Sequence, residues 1–190
     1  MVSTTTRLRR ADQGASDEWQ LVERARAGDV DARGELVARY VDDVYALVAR
    51  VLGERDLAQD AAQDAFVNAL GALHRFRGEA SFRTWILRIA LNSARSLARR
   101  RTRRREVALA AAEDLPGAAE DPARRAVLAS EGERVRTALE TLPEKQRLSV
   151  SLRVYRDLSC AEIAQIIGST EGAVRVNYHL GIKRLREMLQ

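Results

Sequence analysis

Seven arginines, Arg95, Arg99, Arg100, Arg101, Arg103, Arg104 and Arg105, fall in one short stretch without a single acid among them. Charge of that density repels itself unless a polyanion lies alongside, so the stretch suits nucleic acid; the alternative is a solvated, frayed helix end. A second set lies near the C-terminus: Thr170, Glu171, Arg175, Val176, Asn177, His179, Lys183 and Arg184. Arginine can pair with guanine edges, asparagine with adenine and valine with a thymine methyl, whereas Lys183, Arg184 and Arg186 come late enough to favour phosphates. A charged helix face of this kind is also ordinary solvent surface. Enzymatic chemistry lacks its usual parts. Histidines stand only at His74 and His179, Cys160 is the sole cysteine, and neither a glycine-rich phosphate loop nor a metal-ligand cluster occurs, so no cofactor is expected.

The elements that must position these groups read as helices. Phe76-Arg77-Gly78-Glu79-Ala80 forms a turn, Ser81 can cap, and Trp85, Ile86, Ile89, Ala90, Ala94 and Leu97 recur at helical spacing, with Trp85 assigned to the buried stripe. Upstream, Trp19, Leu21, Val22 and Ala25 anchor a short helix that Gly28 stops, and a longer one follows from Leu36 to Leu52 with Gly53 as its end. Asp56-Leu57-Ala58-Gln59 reads as a capping box for a third helix, whose outer face carries Asp60, Gln63, Asp64 and Asn68. Downstream, Thr141-Leu142-Pro143-Glu144 and Ser159-Cys160-Ala161-Glu162 read as two further boxes. A short helix through Ile163 and Ile167, a turn at Gly168 and a longer helix capped by Thr170 together have helix-turn-helix spacing.

Composition sets the frame. The 190 residues carry 46% hydrophobic side chains, only 5% aromatics and three prolines, which points to an all-α protein with Leu, Val, Ile and Ala cores. A formal charge of +5 suits an acidic macromolecular partner rather than a membrane or a small-molecule substrate. The lone cysteine fits a reducing cytoplasm, and no apolar run approaches the ~20 residues of a membrane span. Acids, prolines and a glycine between Glu106 and Glu133 mark an acidic linker. The expected organisation is a disordered tail over 1–16, a helical domain over 17–105, a flexible linker over 106–126 and a second helical domain over 127–190.

FRGEASFRTWILRIALN closely resembles the promoter-melting segment of bacterial sigma factors of the extracytoplasmic-function group, and DLAQDAAQDAF resembles that family's docking segment for polymerase. LPEKQRLSVSLRVYRDLSCAEIAQIIGSTEGAVRVNYHLGIKRLREML looks like the family's second conserved domain. The resemblance implies two domains. Region 2 would bind the β′ coiled coil of core polymerase through Asp60, Gln63, Asp64 and Asn68. It would also read and melt the minus-10 element through Arg77, Glu79, Ser81, Arg83, Arg88, Asn92, Arg95 and Arg99. Region 4 would bind the β flap and read the minus-35 element with its helix-turn-helix. RNA polymerase core and promoter DNA are thus the expected partners, with an anti-sigma factor as a further candidate. Departures from the family pattern occur at Arg33 and Leu70, where aromatics are usual, at Ser149 and Ser151 in an apolar segment, and at Val176 and Leu180 on the recognition helix. A stand-alone helix-turn-helix repressor is the rival class; it would bind duplex DNA without polymerase and dimerise over two half-sites.

Overall fold

Periodicity and caps account for most of the backbone. The computed structural model of the chain describes residues 16–111 and 131–190, and among these it is entirely helix, turn and loop. Helix α1 covers residues 16–26 and gives way at Gly28, whose φ of 100° is left-handed. Helix α2, Val30–Leu52, starts where the Asp29 carboxylate accepts the Ala32 N–H at 3.0 Å and ends at Gly53, whose φ is 72°. That hydrogen bond and neighbouring Arg24 hold the Asp29 carboxyl below the usual aspartate range. Helix α3, Arg55–Gly71, presents Ala58, Ala61, Ala62, Ala65 and Ala69 inward, so α2 and α4 can approach it closely. A 3-10 turn, Leu73–Arg75, leads through a loop into α4, Phe82–Ala111.

The downstream half comprises α5, Glu131–Thr141, α6, Glu144–Arg156, α7, Cys160–Ile167, and α8, Glu171–Leu189. Ser159 and Glu162 form the expected reciprocal capping box, and Thr170 caps α8 through the Ala173 N–H. Between them Gly168 turns the chain at φ 69°. Helix α8 crosses α6 closely enough that a methyl at Gly181 would meet Val150 Cγ2 at 2.7 Å.

Three expectations fail locally. Helix α3 begins at Arg55 behind Glu54, so Asp56 lies inside the first turn and forms no box; there it acts only through the helix dipole. Pro143 occupies the N-cap of α6 and the Thr141 hydroxyl instead donates to Ala138 O, so the second proposed box is also absent. Residues 106–111, assigned to the linker, continue α4 as helix; the rest of that linker and the helical restart at 126–130 lie outside the described residues, as does the tail except for Ser16.

Two helical halves are present, as expected, and they are packed together. Leu158, Ile163, Ile166 and Ile167 join the same buried cluster as Phe82, Ile86, Leu87 and Leu91 of α4. Each such side chain stabilises by about 1.5–3 kcal/mol when fully buried. Polar contacts reinforce the seam: the Asp43 carboxylate takes Arg83 on one oxygen at 2.6 Å and Arg156 on the other at 2.7 Å. Arg156 also donates to Asp42 O at 2.9 Å, Arg95 pairs with Glu144 at 2.9 Å, and the Arg50 guanidinium stacks 4.0 Å from the Tyr155 ring.

Candidate nucleic-acid interface

The loop ahead of α4 is built on an aromatic cluster. Phe76 is buried and lies 5.5 Å from Phe82 and 5.3 Å from Trp85, measured between ring centres, while Tyr40 reaches Phe82 from α2 at 5.4 Å. Ser81 caps α4: its hydroxyl accepts the Thr84 N–H at 3.1 Å and donates to Thr84 Oγ1 at 3.0 Å. Above this base Arg77, Gly78 and Glu79 are exposed. Arg77, Glu79, Trp85 and Arg88 border an open recess of roughly 750 Å³, which Gln165 of α7 approaches from the other half. Trp85 therefore packs on the aromatic cluster, as assigned, and also faces the recess with its remaining surface.

Along α4 the residues Arg88, Asn92, Arg95 and Arg99 recur at helical spacing. Arg88, Asn92 and Arg99 are exposed, whereas Arg95 is engaged by Glu144 and Arg83 by Asp43. On α3, Asp60, Gln63, Asp64 and Asn68 are all exposed and share one face. That face adjoins the basic end of α4. Asp64 stands 3.9 Å from Arg100, Asn68 donates to Ser93 Oγ at 3.3 Å, and Arg101 pairs with Glu54. Opposite charges thus neutralise part of the arginine run within the molecule, which the sequence spacing alone did not indicate.

On α8 the candidate readers of the first two turns have local support, whereas Arg184 reaches α6. Arg175 pairs with Glu171 one turn back at 2.5 Å, an exposed pair of the kind worth about 0.3–0.5 kcal/mol and readily exchanged for a DNA contact. Val176, His179 and Lys183 are exposed. Asn177 is half-buried and donates to Ala173 O at 2.8 Å, and Arg184 reaches back to Gln146 Oε1 at 3.1 Å. Thr170 is committed to capping.

Three of the six departures find structural explanations. Arg33 donates to Ala25 O at 3.0 Å and so ties α1 to α2. Ser149 is fully buried with its hydroxyl on Lys145 O at 2.7 Å, and the buried Ser151 hydroxyl accepts from Arg50 at 3.4 Å. Residues absent from the sequence reading but central to the site are Glu18, Arg26 and Asp43. The partners that tie them to the loop and to α4 lie 40 or more residues away, so no local pattern marks this role.

A helical bundle with a basic helix behind a capped loop, packed against a helix-turn-helix whose second helix faces outward, defines a two-site binder of nucleic acid. Comparison with known proteins gives the class its name. The Sigma-70 region 2 family matches residues 36–104, and the Sigma-70, region 4 family matches residues 132–185. The RNA polymerase sigma-H factor of Pseudomonas aeruginosa is 37% identical over 166 residues, covering 83% of this chain and 86% of its own. The ECF RNA polymerase sigma-E factor of Escherichia coli K12 is 37% identical over 163 residues, covering 82% and 85%. Among solved structures, CnrH in complex with the cytosolic domain of CnrY aligns at a TM-score of 0.67 with 28% identity, over 90% of this chain and 96% of that one. The sigma factor RpoE bound to the anti-sigma factor NepR, from Bartonella quintana, shares the fold at a TM-score of 0.64, with 22% identity, over 82% and 95%. The chain belongs to the sigma-70 family, in its extracytoplasmic-function group, and is an RNA polymerase sigma factor acting in transcription initiation.

Proposed function

We propose that the exposed face of α3 docks on core polymerase, that the loop 76–81 with α4 takes the opened minus-10 strand, and that α8 reads the minus-35 duplex. The observation that carries this is the recess beside the loop, where Arg77, Glu79, Trp85 and Arg88 converge on a space of roughly 750 Å³. It falls within the ~300–1,000 Å³ of small-ligand pockets and offers a base both a stacking surface and polar edges. Holding an unstacked base shifts the melting equilibrium toward the open form, and no catalytic group is needed for that. The protein is accordingly a binding factor rather than an enzyme.

Each DNA contact alone is small, since one helix-turn-helix buries on the order of 600–1,000 Å². Carrying both on one polymerase makes the second contact intramolecular, so specificity belongs to the holoenzyme. No described helix is long and apolar enough to cross a membrane, and we place the protein in the cytoplasm with its polymerase. A protein partner such as the cytosolic domain that CnrH binds would find a recess between the halves, bordered by Tyr45, Ala49, Leu139 and Tyr155 together with Arg50 and Arg136.

Transcription with cognate core on promoter variants tests the reading. Asp60→Ala and Asp64→Ala should weaken core binding while leaving sequence choice unchanged, and Arg175→Ala should alter use of the upstream element only. Promoter-specific initiation that is absent with core, alongside tight binding of duplex by the free chain, would overturn it.

A further inference from the structure

Helix α1 lies upstream of the residues that the region 2 family matches, and three of its side chains turn toward the loop 76–81. Leu21, Val22 and Ala25 supply its buried stripe; Glu18, Trp19 and Arg26 flank that stripe and serve a different purpose. Arg26 sends Nε to Leu73 O at 3.4 Å and Nη2 to Phe76 O at 2.5 Å, and its remaining nitrogen is held by Glu23 at 2.5 Å. It thereby fixes the two carbonyls at the entrance to the loop. Glu18 fixes the exit. One carboxylate oxygen accepts the Phe82 N–H, the first of α4, at 3.2 Å, and the other accepts the Tyr40 hydroxyl, whose pKa burial and this carboxylate raise, keeping it a donor.

Between these clamps, the Trp19 ring lies directly on the loop. A methyl group at Gly78 would stand 2.8 Å from Trp19 Cζ3, and the Gly78 φ of 74° already favours a residue without a side chain. Trp19 is 41% exposed, too open for a purely core role, and the Arg26 guanidinium sits 5.8 Å from its ring centre. Six loop residues are thus restrained at both ends and from below by one helix, while Arg77 and Glu79 remain free on top.

We infer that Glu18, Trp19 and Arg26 are positioning residues for promoter opening, holding the loop in the shape that receives an unstacked non-template base. The inference rests on the proposed base capture by that loop. A recess misplaced by about an ångström loses its advantage steeply, on the order of 10²-fold.

The test uses holoenzyme made with the full chain and fork-junction promoter DNA carrying either the intact nucleotide or an abasic site at each minus-10 non-template position. Wild type should bind intact DNA more tightly than abasic DNA at one position. Arg26→Ala and Trp19→Ala should lose about 10- to 100-fold on intact DNA and bind abasic DNA as wild type does. Core affinity and melting temperature are measured alongside. Trp19→Ala, an exposed substitution, keeps the test decisive where Arg26→Ala does not fold. Variants that retain the full preference for the intact base, or that weaken intact and abasic binding equally, would overturn the positioning role. Wild-type indifference to the base at every position would instead remove base capture itself, and this inference with it.

Discussion

The loop before α4 and the recognition helix α8 are the two surfaces assigned here to promoter DNA, and they are supported in different ways. Beyond its local aromatic packing and the Ser81 cap, the loop is held by side chains from far along the chain: Glu18 bonds Phe82, Arg26 bonds Phe76 O, and Asp43 takes Arg83. On α8 the candidate readers of the first two turns lean on their own helix, Arg175 on Glu171 and Asn177 on Ala173 O, and Arg184 further along reaches Gln146 of α6. The difference follows from what each surface has to do. A rod entering the major groove needs only its axis positioned, because successive side chains then arrive at the base edges together. A loop that takes a single unstacked base has no such rigidity of its own and must be held from outside.

The comparison can be broken most severely at the seam between the halves. Ile163 is fully buried in α7 and belongs to the core shared with α4, so Ile163→Ala should cost about 2–5 kcal/mol in denaturant unfolding. Were the halves independent bodies, the loss would appear only in a transition of the downstream helices. With one shared core, both halves should lose stability together, as hydrogen exchange on α4 and α8 would show.

A smaller effect is expected at Asp43, which bridges Arg83 and Arg156 with its side chain mostly buried. Asp43→Ala leaves two half-buried guanidinium groups without their carboxylate and should destabilise by about 1–3 kcal/mol. Through Arg156, Asp43 fastens the downstream half to α2, alongside the packing of α7 on α4. The variant should therefore raise the inter-half distance in the free chain, read by energy transfer between dyes on α3 and α8. An unchanged distance would show that the apolar seam alone keeps the halves together.

These contacts also explain what could be read from the chain beforehand. Stops and caps made by adjacent residues were legible: Gly28, Gly53, Ser81, Ser159 with Glu162, Gly168 and Thr170 all act as their types and spacing suggest. Asp56 and Thr141 had the same signatures and do not cap: α3 starts behind Glu54, Pro143 holds the N-cap of α6, and the Thr141 hydroxyl donates to Ala138 O. The candidate docking residues on α3 and the candidate DNA contacts on α4 and α8 were legible as polar faces. Their internal pairing was not, since Arg95 meets Glu144 and Arg156 meets Asp43 only after both halves have folded.

The smallest expected effect separates the two modes of support most cleanly. Gly78 and Gly168 have nearly equal φ values, 74° and 69°, so alanine at either should cost about 1–2 kcal/mol from backbone strain. Beyond that they differ in one respect: a methyl at Gly168 meets nothing within 4 Å, whereas at Gly78 it meets the Trp19 ring. Because Trp19 is partly exposed its ring can move aside, which keeps the two losses of stability similar but tilts the support beneath the loop. Gly78→Ala should then slow open-complex formation on duplex promoters with minus-35 use unchanged, and Gly168→Ala should leave opening intact at temperatures where the variant is folded. Equal effects on opening at matched stability would mean that the loop depends on its own backbone, not on the helix beneath it.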